Sequence, residues 1–297
     1  MKKYPFILSL LTVICSCHNG TSSDTRTAPQ DTTAITGHDA LTAYRQWTST
    51  LDTQKIDNAE LAIQRFEQTF HGQPADICDT AFTIFDHLHE RIAEYIFTSR
   101  NGDTLTMTMD PRDPEFKAKP LSPYLKKLKD TLTRNGFHID ADEGSPIIAS
   151  DYTPFKARIE DHLTPAMKEY ITQTIKETRE GFQDDAAILI PPDSLAARTV
   201  WREKFTRLHP QFIYAGKAAD NLLMYRVTLI NGLDNTPVEQ LEKPGGLTAY
   251  YAEAYSFIAK YYPNSPIDAI TSPYYKAWQA NDITTIHDIK EKNQYTK

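Results

Sequence analysis

The sequence predicts a mainly α fold, built as antiparallel helical hairpins or an irregular helical bundle with small β-hairpin insertions. Three observations predict it. First, Ile77, Ala81, Ile84, Leu88, Ile92 and Tyr95 keep a 3.6-residue apolar period. Second, Ser122-Pro123, Thr153-Pro154, Thr164-Pro165 and Ser272-Pro273 each read as a helix start. A hydroxyl there caps a free amide, and proline suits the first helical position because its missing donor is not needed. Third, Tyr251, Tyr255, Ile258 and Tyr262 form an aromatic stripe at helical spacing. The chain has 297 residues, 40% of them apolar and 24% charged. That composition supports a real core and excludes wholesale disorder.

The elements follow in order. Leu41, Tyr44 and Trp47 predict a helix over 40–50. Ala59, Ile63, Phe66 and Phe70 share one face of a second helix over 58–70, and the periodic stripe makes the third. Short connections make these three an antiparallel group. Asn101-Gly102-Asp103 reads as a turn. Beyond it Leu105, Met107 and Met109 alternate with threonines, which predicts a short strand ended by Pro111, Pro114 and Pro120. Leu125, Leu128 and Leu132 mark the helix opened by Ser122, closed at Asn135-Gly136. Phe137 to Ile139 and Ile147-Ile148 predict a hairpin or two extended connectors.

Thr153 and Thr164 open the next two helices. Ala186 to Ile190 fits a strand or a buried helix end, stopped by Pro191-Pro192. Trp201, Phe205 and Leu208 mark a helix face from about 193. Phe212 to Ile230 predicts a long helix, and a helix over 250–262 carries the aromatic stripe. Tyr275 and Trp278 follow Ser272-Pro273 in the last one. Gly181, paired aspartates and the double proline fall within 180–193. That stretch fits a subdomain joint as well as it fits one continuous domain.

The N-terminus carries a different signal. Lys2-Lys3 precede an apolar stretch from Phe6 to Ile14, then Cys15-Ser16-Cys17. This is the n-region and h-region of a secretory signal, too short to span a bilayer. With Ile14 at minus three and Ser16 at minus one, the segment resembles the lipobox signal peptide of bacterial lipoproteins. The resemblance implies that residues 1–16 are removed and that Cys17 is lipidated. It implies palmitate-type acyl chains, a membrane contact through that lipid, and a bacterial cell envelope location, outer membrane first. Residues 17–38 are rich in Thr, Ser, Gly and Asp and read as a flexible tether. The helical domain then takes 39–297. Cys78 is the one cysteine left, so no internal disulfide is expected, and its apolar setting predicts a buried small hydrophobe.

A second resemblance covers 250–266, Tyr-Tyr-Ala-Glu-Ala-Tyr-Ser-Phe-Ile-Ala-Lys-Tyr-Tyr-Pro-Asn-Ser-Pro. It is similar to a helix end in tetratricopeptide-type proteins, including envelope lipoproteins that pair such helices to hold partners. Helical hairpins forming a scaffold are what this implies.

Charge disfavours one function class, the nonspecific nucleic-acid binder. The formal charge is -7. Removing Lys2 and Lys3 takes Lys plus Arg from 32 to 30 against 39 Asp plus Glu, a formal -9. Nucleic acid is therefore not an expected partner.

Short chemical motifs are not found. His87 and His89 lie about 200° apart on a helix, so they do not share a metal. Asp140, Asp142 and Glu143 place Ser145 and Asp151 where a calcium loop needs Gly and Glu. No Walker loop, dinucleotide fingerprint or nucleophile elbow is present. The sequence leans away from an enzyme and calls for no metal or cofactor. It points to a lipid-anchored interaction or scaffold protein that contacts an envelope protein or glycan through Trp201, Tyr251, Tyr274 or Trp278. The alternative is an envelope hydrolase or carbohydrate-binding lipoprotein, with His162 beside Glu160 or Asp161 as its acid–base candidate.

Overall fold

The computed structural model describes residues 36–100, 102–109, 120–143, 145–240 and 245–294. They fall in one compact unit, Thr36–Lys297. The chain is mainly helical, with small antiparallel two-stranded sheets. Residues 1–35, and with them Cys17, the signal segment and most of the tether, lie outside the described residues. No helix among the described residues is long and apolar enough to cross a membrane.

The first three helices are α1 (Gly37–Ser49), α2 (Asn58–Phe70) and α3 (Ala75–Ser99). Thr36 opens α1 by accepting from the Asp39 amide at 3.2 Å. On α3 the expected stripe turns inward at Ala81, Ile84, Leu88 and Ile92. Tyr44 of α1 packs edge-on against Phe70, ring centres 5.3 Å apart, and donates to the Ala62 carbonyl at 3.0 Å. A tyrosine satisfied in this way can be buried where a bare hydroxyl could not.

The strand expected at 105–109 is not there. Gly102–Thr106 is a short helix, α4, continued by a turn in which Met107 N reaches Asp103 O at 3.0 Å. Leu105 and Thr108 are buried, while Met107 is exposed. The segment lies against Pro146 but pairs with no strand, and local i to i−3 and i−4 bonds satisfy its backbone instead.

Next come α5 (Pro123–Arg134), the hairpin β1 (Phe137–Asp142) and β2 (Ser145–Ser150), α6 (Thr153–Ile159), a 3-10 turn and α7 (Pro165–Glu180). Phe137 pairs with Ser150 and Ile139 with Ile148. Ser122 and Thr164 cap as the sequence predicts, accepting from Leu125 N and Met167 N. At α6 the acceptor is instead the Asp151 carboxylate, which takes the Thr153 amide at 3.0 Å.

The second half begins with β3 (Gln183–Asp184) paired to β4 (Ala187–Ile188). Helices α8 (Pro192–Leu208) and α9 (Ala215–Asn231), then β5 (Gly232–Leu233) paired to β6 (Thr236–Pro237), follow. Helices α10 (Ala249–Tyr261), α11 (Pro266–Ala280) and α12 (Ile283–Lys292) complete it. Phe212 and Tyr214, expected inside the long helix, lie in the turn before α9, where Ala215 N bonds Phe212 O at 2.8 Å. Ser272-Pro273 does not open a helix. Ser265-Pro266 opens α11 one stretch earlier, Ser265 accepting from Asp268 N at 3.0 Å, and Pro273 sits in the helix interior. Buried Ile267, Thr271, Tyr274 and Trp278 hold α11 across that missing donor.

Two hydrophobic clusters make the core. One gathers α1 to α7 together with Phe205, Phe212, Tyr214 and Ala218. The other runs from Ile190 to Ile286. The chain first passes between them within 180–193, yet α8 and α9 contribute side chains to both.

Candidate functional site

The candidate site is an open groove of about 970 Å³ between α1, the start of α3 and residues 208–213. It forms because α8 ends at Leu208, and His209-Pro210-Gln211 turns the chain back towards α9. Leu41, Ile77, Ala166 and Phe212 line it, and Leu208 and Ile213 are exposed on its edge. Arg45, Asp76 and Asp79 bring charge. Asp79 is not a free acid, because it accepts from Thr164 N at 3.0 Å and from Thr164 Oγ1 at 2.6 Å. Burial raises its pKa, the Thr164 bonds oppose that, and the Asp76 charge adds to the rise. A smaller cleft of about 320 Å³ lies farther along α1 and α3 and shares Arg45 with the groove.

Another face of α3 is closed. Asp86, buried, accepts from the hydroxyls of Tyr152 and Tyr214, the latter at 2.9 Å. Lys217 Nζ lies 3.3 Å from Asp86 and 2.6 Å from Glu90. One buried carboxylate thereby ties α3 to the start of α6 and the start of α9. His89 is fully buried and stacks on Phe137 at 4.0 Å. Its Nε2 lies 2.9 Å from the Asn135 carbonyl, which makes Nε2 the protonated nitrogen and Nδ1, 3.0 Å from Ser150 Oγ, the acceptor. Burial pulls its pKa down to about 4. His87 points the other way, into solvent, 3.4 Å from Glu90. The two histidines diverge as the helical spacing predicts.

A charged seam lies along α7, α8 and α9. Arg202 pairs with Glu177, both nearly buried, at 2.5 Å. Arg198 pairs with Glu180 at 2.7 Å and also donates to the Tyr225 hydroxyl at 3.1 Å. Tyr225 in turn donates to Glu177 at 3.0 Å. These charges are consumed by one another and hold the helices in register.

The aromatic contact residues expected from the sequence need correction. Tyr251 and Tyr274 are fully buried and Trp278 nearly so. Their setting explains why. The last carbonyls of a helix have no partner inside it. Tyr251 donates to Thr228 O at 3.2 Å, Tyr255 to Leu229 O at 2.8 Å and Tyr274 to Ile230 O at 2.9 Å. Tyr255 and Tyr274 thus cap the Leu229 and Ile230 carbonyls at the end of α9, Tyr251 adds a second bond to the Thr228 carbonyl that Gly232 N already reaches, and burial raises the pKa of each tyrosine. Trp201 alone remains half-exposed. It stacks on Phe205 at 5.0 Å and donates to Glu169 at 3.0 Å.

Other candidates fall away from the groove. His162 packs edge-on against His71 and Phe66, not against Glu160 or Asp161. Cys78 is buried, its thiol pushed up to about 11 by burial first and then by Asp79 and Asp76. Leu208, expected on an apolar helix face, and Ile213, expected inside the long helix, are exposed at the groove instead, and Arg45 joins them only in the tertiary fold, because no local pattern links α1 to the end of α8. Among family models, curated proteins and solved structures, none matches this chain.

Proposed function

We propose that the chain is a lipid-anchored envelope protein that holds a partner protein in the groove between α1, α3 and residues 208–213. The observation that carries this reading is a large open groove with Leu208 and Ile213 exposed at its edge. Exposed apolar residues around a concave surface favour recognition of another molecule. Binding is preferred to acid–base chemistry because Asp79 is committed to Thr164. Asp86 and His89 are enclosed within the protein. The anchor is Cys17, carried by the lipobox resemblance. Several acyl chains, each methylene worth about 0.8 kcal/mol when buried, would hold the domain at a membrane surface.

Two experiments test the reading. Labelled palmitate should enter the wild-type chain and not Cys17→Ser, which should leave the membrane fraction. A photo-crosslinker placed at Ile213 in native membranes should capture one reproducible protein, and the same group at exposed Leu61 should not. Equal capture at both positions, or none at Ile213, would sink the groove reading.

A further inference from the structure

The groove does not end at Arg45. The smaller cleft continues from it along the same two helices. Helices α1 and α3 run in the same direction, Gly37 lying against Gln73 and Ile77, and Ser49 sharing the far cleft with Arg91. From Asp76 to Arg91 the trough is about 22 Å long at 1.5 Å per residue. That is enough for a peptide segment of several residues.

Its far end has a distinct charge. Arg45, Arg91 and His87 line the cleft, and no carboxylate does. Of the other arginines, Arg65 lies over the Trp47 ring and Arg100 donates to the Tyr124 hydroxyl, while six are held by acids. Arg134, Arg158, Arg179, Arg198, Arg202 and Arg207 each meet a carboxylate. Among the described residues Arg45 and Arg91 have no such partner. The chain has 39 acids against 32 bases, so acids for pairing are not scarce. The hydroxyls of Thr48, Ser49 and Thr83 already donate to carbonyls of their own helices. The two guanidiniums are therefore the donors on offer, and guanidinium forks match carboxylates.

We propose that this trough takes a peptide segment of a partner protein, with acidic residues at Arg45 and Arg91 and apolar residues at Leu208 and Ile213. This deepens the groove reading and rests on it. The two ends together favour a peptide over other anions. A free phosphate has no use for the apolar end, and the flat face of an anionic membrane does not enter a trough between two helices.

The test is selection of random peptides against the full lipidated chain in detergent micelles. Enriched peptides should combine acidic and apolar residues. They should bind the double variant Arg45→Glu and Arg91→Glu at least about tenfold more weakly. A second variant, Lys126→Glu with Lys127→Glu, makes the same charge change on α5 and should bind as wild type. Unchanged thermal unfolding shows that both variants are folded. Enrichment of neutral or basic peptides, no enrichment, or equal loss in both variants overturns the proposal. So does binding of inorganic phosphate or phosphatidylglycerol vesicles through Arg45 and Arg91 in place of peptide. Neutral peptides that crosslink at Ile213 would overturn the acidic assignment and leave the groove reading standing.

Discussion

The tyrosines of α10 and α11 and the arginines of the α1–α3 trough are alike in sequence, since both are polar groups bordering apolar helical stripes. They meet opposite fates. Tyr251, Tyr255 and Tyr274 go inside, where backbone carbonyls at the end of α9 accept their hydroxyls. Arg45 and Arg91 stay outside and enter no ion pair, although Asp76 and Asp79 line the groove beyond Arg45. The difference teaches that an aromatic stripe rich in hydroxyls signals an internal acceptor more than an external ligand. The unmet polar groups mark the surface that is free to bind.

Replacing Tyr251, Tyr255 and Tyr274 together by Phe should have the largest effect. The apolar packing is kept, but the four bonds from these hydroxyls to the carbonyls of Thr228, Thr236, Leu229 and Ile230 are lost, at about 1 kcal/mol each. A loss of about 3 kcal/mol or more in urea unfolding is expected. A loss under about 1 kcal/mol would break the comparison, because the hydroxyls would then not be acting as caps.

The closed face of α3 gives the next prediction, through pH. An unfolded histidine protonates near its ordinary pKa of about 6.5. Folded His89 does so only near 4 because it is buried. Between these values the unfolded chain holds a proton that the folded chain does not. Stability is therefore full above about 6.5 and falls as the pH drops towards 4, by up to about 3 kcal/mol. His89→Gln should remove that slope between pH 6.5 and 5, although its own base stability is lower. A slope unchanged in the variant would place the acid sensitivity elsewhere.

Much of the fold was legible in the sequence because its signals are local. The limits of α2 match the expectation, 58–70, and the hydroxyl-proline starts at 122 and 164 are correct. The same signal misled at Ser272, where an earlier Ser265-Pro266 had already opened the helix and tertiary packing carried it past Pro273. The alternation at 105–109 misled because a strand needs a partner, which no single segment can reveal. The site was hardly legible at all. It joins Arg45 of α1, Arg91 of α3 and Ile213 before α9, and only the tertiary fold brings such distant positions to one surface. The aromatic stripe was visible, but whether it faced a ligand or a helix end depended on where α9 stopped.

Trp201 sharpens the comparison from between the two cases, being aromatic like the stripe and half-exposed like the trough. Trp201→Ala removes a stack on Phe205 and a bond to Glu169. About 1–2 kcal/mol of stability should go with them. Capture by a crosslinker at Ile213 should be unchanged. Loss of capture with little loss of stability would return Trp201 to the contact role its sequence suggested.

The smallest effect on stability is expected in the trough itself. Arg45 and Arg91 are exposed, and each lacks a carboxylate that would be stranded by its removal. Changing both to Glu should shift unfolding by less than about 0.5 kcal/mol. That near-silence is what separates a binding group from a structural one. A charge kept for the fold leaves an uncompensated partner behind when it is reversed, as reversing Arg202 would do to Glu177. A charge kept for a partner leaves nothing behind in the free protein, and its loss is felt only when the partner arrives. A large destabilisation on reversing Arg45 and Arg91 would therefore move them to the structural side, and the trough would lose its claim to recognise an acidic segment.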